Sequence, residues 1–294
     1  MLQPEFDSWP ILQFEEKSTS FLSHGECIRI PTICTFPISR FAILEQAELD
    51  LALGRPPIDL VWNPPERLQD LLTLVFETAR AAGGLRISSS VGCPPIEAVC
   101  TNDQIWCETF PILHLSNLTM PDWPSSERPT ESHTLVYFNP AGDPLPFARK
   151  EAEGLCKSQA QNVRGIFRTV SEEELASEIR AADRIIYLGH AKNVAGRPAI
   201  PGLDGFIPLI PREAGSVARK SFLLLACLEA TAELVVPGGY FVHPICKIAD
   251  RRTDFSARLA ADWQPSAILD ACKADAQARD IRRFIYRAQG SISF

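Results

Sequence analysis

With 294 residues, 46% of them apolar, the chain can bury a sizeable core as one large or two modest domains. A net charge of −7 with no basic face argues against a direct nucleic-acid partner. No apolar run reaches the length of a membrane span, and Met1 to Asp7 lack the basic and apolar regions of a signal peptide. Nine cysteines without a CxxC pair favour free thiols in a reducing compartment, so a cytoplasmic location is expected. The sequon Asn117-Leu118-Thr119 then carries no meaning.

Residues 1 to about 50 show no clear periodicity. Pro4, Pro10, Pro31 and Pro37 interrupt them, and Ile28-Arg29-Ile30 reads as a strand or part of an extended arm. Pro64-Pro65 opens a helix over 65–82, with Leu68, Leu71, Leu72, Val75, Phe76 and Ala79 at helical spacing and Gly83-Gly84 as its stop. Leu85 to Ser90 reads as a strand, and Trp106 to Leu118 as one or two more. Residues 121–132 are polar, Pro-rich and linker-like. The division expected is an N-terminal subregion over 1–130, packed on a catalytic core over 131–294.

In that second part, Thr134 to Phe138 reads as a strand ended by Asn139-Pro140-Ala141-Gly142-Asp143-Pro144. A helix follows from Phe147 to about Lys157. Ser171 with Glu174 forms a capping box for the next helix, which carries Leu175, Ile179 and Ala182 on one face. Two apolar runs then stand out. Arg184 to Leu188 ends in Gly189-His190, and Ser221 to Leu225 ends in Ala226-Cys227. Each reads as a buried strand with one reactive side chain at its carboxyl end, where open parallel sheets build their sites. Tyr240 to Val242 reads as a further strand, and Phe255 to Trp263 and Ile268 to about Arg287 read as helices. The order of strands and helices predicts an α/β fold with a mostly parallel sheet sandwiched by helices.

A thiol and an imidazole on neighbouring strand ends make a nucleophile and base. The ordered set of segments resembles the CHAT family of caspase-like cysteine peptidases. It consists of Asn139-Pro140 with Leu145-Pro146-Phe147-Ala148, Glu151-Ala152-Glu153, Leu188-Gly189-His190, Gly202-Leu203-Asp204-Gly205 and Ala226-Cys227-Leu228-Glu229-Ala230, and it closes with Phe284-Ile285-Tyr286. The likeness spans about 65–294 and is weakest in its first third. It implies a caspase-like fold, a cysteine endopeptidase acting on a protein substrate, and roles in defence or regulated cell death. It assigns Cys227 as nucleophile and His190 as general acid/base. The backbone N–H groups of Ala191 and Cys227 would hold the oxyanion. Leu225, two residues before the Cys, either lines the substrate pocket, which implies an apolar or small residue before the scissile bond, or faces the core and says nothing of that residue. Because the chain carries no repeat array or sensor module, a regulatory protein partner is expected to supply sensing.

The chain departs from the family pattern at Ala191, where Gly is usual, at Leu228-Glu229, and at Pro244 to Ile248. Those departures motivate a second reading, a catalytically inactive caspase-like scaffold that binds proteins. A third reading, a doubly wound α/β protein binding a small molecule, requires that the two strand ends not be adjacent. No cofactor is expected, since neither GxGxxG nor GxxxxGK[ST] occurs. No metal is expected either. Cys93, Cys100 and Cys107 recur every seven residues without a His at finger-like spacing. His24, His114, His133 and His243 sit in no motif, and Cys156 and Cys246 read as core.

Overall fold

The computed structural model describes residues 8–15, 18–30, 39–55, 60–63, 66–89, 96–115, 133–158, 162–194, 197–210, 220–226, 240–244, 248–251, 269–270, 273 and 286–290. The linker-like stretch at 121–132, the helix expected over 255–263, Cys93 and Cys246 lie outside them. In chain order the elements begin with β1 (Ile11–Phe14), β2 (Thr19–Ser23), β3 (Glu26–Ile30), α1 (Ser39–Ala52) and α2 (Glu66–Ala82). Then come β4 (Leu85–Ser89), β5 (Cys100–Thr101), β6 (Gln104–Ile105), α3 (Trp106–Thr109) and β7 (Ile112–Leu115). The second half holds β8 (Thr134–Asn139), α4 (Pro146–Ser158), β9 (Val163–Ile166), α5 (Glu172–Ala181) and β10 (Arg184–Gly189). It continues with β11 (Lys192–Val194), β12 (Arg197–Gly202), β13 (Gly205–Pro208), β14 (Ser221–Ala226), β15 (Tyr240–Pro244) and β16 (Tyr286–Gly290).

The fold is α/β. Eleven strands form one sheet in the order β3-β2-β1-β4-β7-β16-β15-β14-β10-β8-β9. Two parallel blocks make it up, β1-β4-β7-β16 and β15-β14-β10-β8-β9, joined by the antiparallel pair β15/β16. The antiparallel β1-β2-β3 meander closes the far edge. The N-terminal strands thus continue the sheet of the second half through the β7/β16 pair.

Alternation along the buried strands explains the layering. Val136, Phe138, Ile186, Leu188, Leu223 and Leu225 pack on one face with Ala152 and Leu155 of α4. Their neighbours Leu135, Tyr137, Ile185, Tyr187, Phe222, Leu224 and Ala226 pack on the other with Leu175 and Ile179 of α5. Strands covered on both faces read as unbroken apolar runs, which is why β8, β10 and β14 stand out in the sequence. The α5 cap forms as the capping box predicts, with Ser171 Oγ accepting from the Glu174 N–H at 3.2 Å. Helix α2 lays Leu68, Leu71, Leu72, Val75, Phe76 and Ala79 on β1 and β4.

Three segments differ from the sequence expectation. Residues 39–52 form a helix within the stretch read as unperiodic. Trp106 begins a helical turn, α3, before β7. Tyr286 and Arg287, expected at the end of a helix, begin β16.

Candidate active site

Spatial order within the second block is β9-β8-β10-β14-β15 while the chain runs β8, β9, β10, β14, β15, so the connections leave β8 and β10 in opposite directions. Ligand sites of open α/β sheets form in the crevice at such a switch, beyond the carboxyl ends of the strands. The turn after β8 and the residue after β10, His190, flank that crevice.

His190 is held by its backbone. Gly189 has φ +145°, and a Cβ there would lie 2.2 Å from the Asn139 carbonyl oxygen and 2.8 Å from the Tyr187 hydroxyl. Only glycine lets β10 pass this close to β8. The Tyr187 hydroxyl then donates to the His190 carbonyl at 2.7 Å. The His190 side chain is 37% exposed. Its Nε2 is nevertheless shielded from water and makes no aligned hydrogen bond among the described residues.

Asp143 approaches that nitrogen, with its Oδ2 3.1 Å from Nε2. The separation is that of an ion pair, and the angle falls short of a hydrogen bond. Local turn chemistry places this carboxylate. The Asp143 N–H donates to the Pro140 carbonyl at 3.0 Å, and Ala141 and Gly142 both have positive φ, as a type I′ turn requires. The Asn139 side chain anchors the turn with its full complement of bonds. Its Oδ1 accepts from the Ala141 N–H at 3.0 Å and the Thr169 hydroxyl at 3.2 Å. Its Nδ2 donates to the Tyr137 hydroxyl at 3.1 Å and the Pro201 carbonyl at 2.7 Å. All four capacities of a buried amide are met. Burial pushes the phenol of Tyr137 above its ordinary pKa, against the opposing bonds from Asn139 and Val170. Burial pushes Tyr187 further in the same direction, with a smaller contribution from Tyr137. Both phenols therefore remain neutral donors and acceptors beneath the site.

The register of β10 and β14 bears on the Cys. They pair in parallel over six residues, and Gly189 lies opposite Ala226. His190 follows the first and Cys227 the second. Cys227 itself lies outside the described residues, as does its backbone N–H. The two strand ends are adjacent, so the condition attached to the small-molecule reading is not met. Ala191 is half-buried against the α5-side core and leads directly into β11. Leu225 is 6% exposed and does two things at once. It packs in the α4-side core, and it lines a small hollow open to solvent.

That hollow sits on the His190 side of the sheet end, walled by Leu145, Ala148, Glu151, His190, Leu225 and Ile248. Asp250, also in its wall, caps α4 from a distance in sequence, accepting from the Phe147 and Ala148 N–H groups at 3.2 and 2.8 Å. Its neighbour Arg251 forms a two-pronged pair with Glu48 of α1, at 2.8 and 3.1 Å. The hairpin β12/β13, closed by Leu203 and Asp204 with Gly202 opposite Gly205, realises the expected Asp-Gly turn.

The remaining sequence candidates sort as follows. His243 is buried in β15, stacked on Phe241 at 5.1 Å with Nδ1 3.0 Å from the Pro244 carbonyl. His114 pairs with Glu97 at 2.8 Å, both buried near β7. Cys107 is buried, Cys100 and Cys156 are half-buried, and Cys27 is exposed. Burial raises the pKa of the Cys156 thiol. Among the described residues no group of three His, Cys, Asp or Glu is placed to hold a metal ion. Nor is any helix among them long and apolar enough to cross a membrane.

Asp143, Asn139 and the two tyrosines escaped the sequence reading as site residues. The available signal was Asn-Pro-Ala-Gly-Asp directly after a buried strand, a turn whose last side chain is aimed by its first. Compared with known proteins, the chain matches no family model and no curated sequence.

Proposed function

We propose that the protein is a caspase-like cysteine endopeptidase using a Cys227–His190 dyad. The observation that carries the proposal is the register of β10 on β14, with Gly189 opposite Ala226. His190 and Cys227 are the next residues in sequence after these two. Neighbouring strands run about 4.8 Å apart, so the chain leaves β14 beside the point where it leaves β10. The hollow beside His190 supports the same reading, because it offers an acyl group a place against the strand ends.

In this mechanism the Cys227 thiol gives its proton to His190, and the thiolate attacks the scissile carbonyl carbon. A C–S bond forms as the carbonyl electrons move to oxygen, which the N–H groups of Ala191 and Cys227 receive. Collapse breaks the C–N bond, and His190 protonates the leaving amine. Water then attacks the thioester, releases the acid and restores the thiol. Leu225 in the wall of the hollow favours an apolar or small residue before the scissile bond. In this reading a regulatory partner gates the enzyme.

A peptide library cleaved by the protein, alone and with candidate partners, tests this. Cys227→Ala is expected to abolish cleavage. His190→Ala is expected to lower it by about 10³-fold, the usual scale of a lost general acid/base. Library cleavage mainly after Arg or Asp would overturn the apolar preference. Cleavage unchanged in Cys227→Ala would overturn the dyad. Full activity without any partner would overturn the gating.

A further inference from the structure

We propose that Asp143 is a positioning residue that holds His190 with its proton on Nε2, leaving Nδ1 as the nitrogen that meets the thiol. The inference rests on the peptidase reading only in naming the thiol as what Nδ1 faces. A neutral imidazole donates through one nitrogen and accepts through the other, and the hydrogen bond at one decides the role of the other. The Nε2 of His190 is closed off from water and has no aligned partner, while an acceptor-only carboxylate stands 3.1 Å away. The Asp143 side chain is 72% exposed, so a small rotation of its carboxylate brings the contact into line. Active-site hydrogen bonds are often loose before substrate arrives and tighten with it.

Both partners hang from one buried framework, which separates this contact from a chance surface ion pair. The Asp143 backbone is fixed by the 140–143 turn, and that turn by the four bonds of Asn139. The His190 backbone is fixed by the Tyr187 hydroxyl and by the Gly189 conformation. Tyr187 and Tyr137 stack with ring centroids 5.3 Å apart, and Tyr137 closes the loop back to Asn139. The carboxylate and the imidazole are therefore aimed at each other from two ends of one rigid assembly. His243 of β15 differs, being buried inside its strand with Nδ1 3.0 Å from the Pro244 carbonyl.

The test is ¹⁵N NMR of the imidazole rings in the full chain, with the His190 signals assigned by loss in His190→Ala. It is paired with the rate of iodoacetamide labelling at Cys227. The native neutral ring is expected to carry its proton on Nε2. Asp143→Ala should mix the tautomers and slow Cys227 labelling about tenfold or more, as loss of a tautomer-fixing carboxylate does in hydrolytic triads. Asp143→Glu keeps a carboxylate acceptor and should restore the native tautomer, whereas the Asp143→Asn amide can donate to Nε2 and should favour the wrong one. An unchanged tautomer in Asp143→Ala would overturn the inference, whatever the labelling shows. If the tautomer shifts as expected while native Cys227 reacts no faster than exposed Cys27, the positioning role stands and the dyad falls. If Cys227 labelling needs His190 but ignores Asp143, with the tautomer unmoved, the dyad stands and this inference falls.

Discussion

Gly189→Ala is expected to be among the most damaging single substitutions in the chain. The new methyl would sit 2.2 Å from the backbone carbonyl of Asn139, a neighbour with no side-chain freedom to yield. The φ of +145° adds strain that no L-residue escapes. Overpacking and backbone strain together amount to about 3–5 kcal/mol. In a chain of this size that lowers Tm by roughly 6–15 °C. Differential scanning calorimetry of the variant reads the shift directly. A variant as stable as the native protein would mean that β10 and β8 do not converge at Gly189 and Asn139. The site would suffer as well as the fold, because the methyl also displaces the Tyr187 hydroxyl from the His190 carbonyl.

Arg251→Ala is the second. Glu48 is 1% exposed on the inner side of α1, and Arg251 reaches it with two nitrogens from the wall of the hollow. Removing the guanidinium takes a bidentate partner from a buried carboxylate, at about 3–5 kcal/mol. Replacing both partners with apolar residues, Glu48→Leu with Arg251→Met, should recover most of that loss, since a buried ion pair rarely outperforms good packing. Urea unfolding of the two variants distinguishes the cases. Equal stability of Arg251→Ala and the native protein would show that the pair does not tie α1 to the site wall. Recovery in the double variant would show that the single loss comes from the buried charge left behind.

The core of the second block was legible because its strands are covered on both faces. Leu135 to Phe138, Ile185 to Leu188 and Phe222 to Leu225 face alternately to α4 and α5, yet every position is apolar. The polar residue that ends each run therefore marks its carboxyl end without any knowledge of the fold. Helix α1 was hidden for the opposite reason. Leu44 and Ala47 face inward while Ile43 and Leu49 face solvent, so apolar residues run all round and leave no 3.6-residue period. At α3, Trp106 and Phe110 pack together under Phe76 with centroids 5.7 Å apart. Aromatic residues favour strands by propensity, and tertiary packing prevailed.

The site divides the same way. His190 could be read from a strand end alone. Asp143 could not, because its place beside the imidazole depends on β8 pairing with β10 in a register that sets Asn139 opposite Gly189. Forty-odd residues of chain separate the two, and only the sheet brings them together. The role of Leu225 was open from sequence for a related reason. A strand-end side chain can fill the core or line a crevice, and here it does both.

The central claim is that Cys227 and His190 act as a coupled pair, and thiol reactivity tests it most directly. The measurement is competitive iodoacetamide labelling of the purified protein, read at each Cys by mass spectrometry, with the exposed Cys27 as internal reference. The account predicts that Cys227 is labelled at least about tenfold faster than Cys27, because a nearby imidazole raises its thiolate fraction. It also predicts that His190→Ala removes the difference. Labelling of Cys227 at the Cys27 rate, unchanged by His190→Ala, would contradict it.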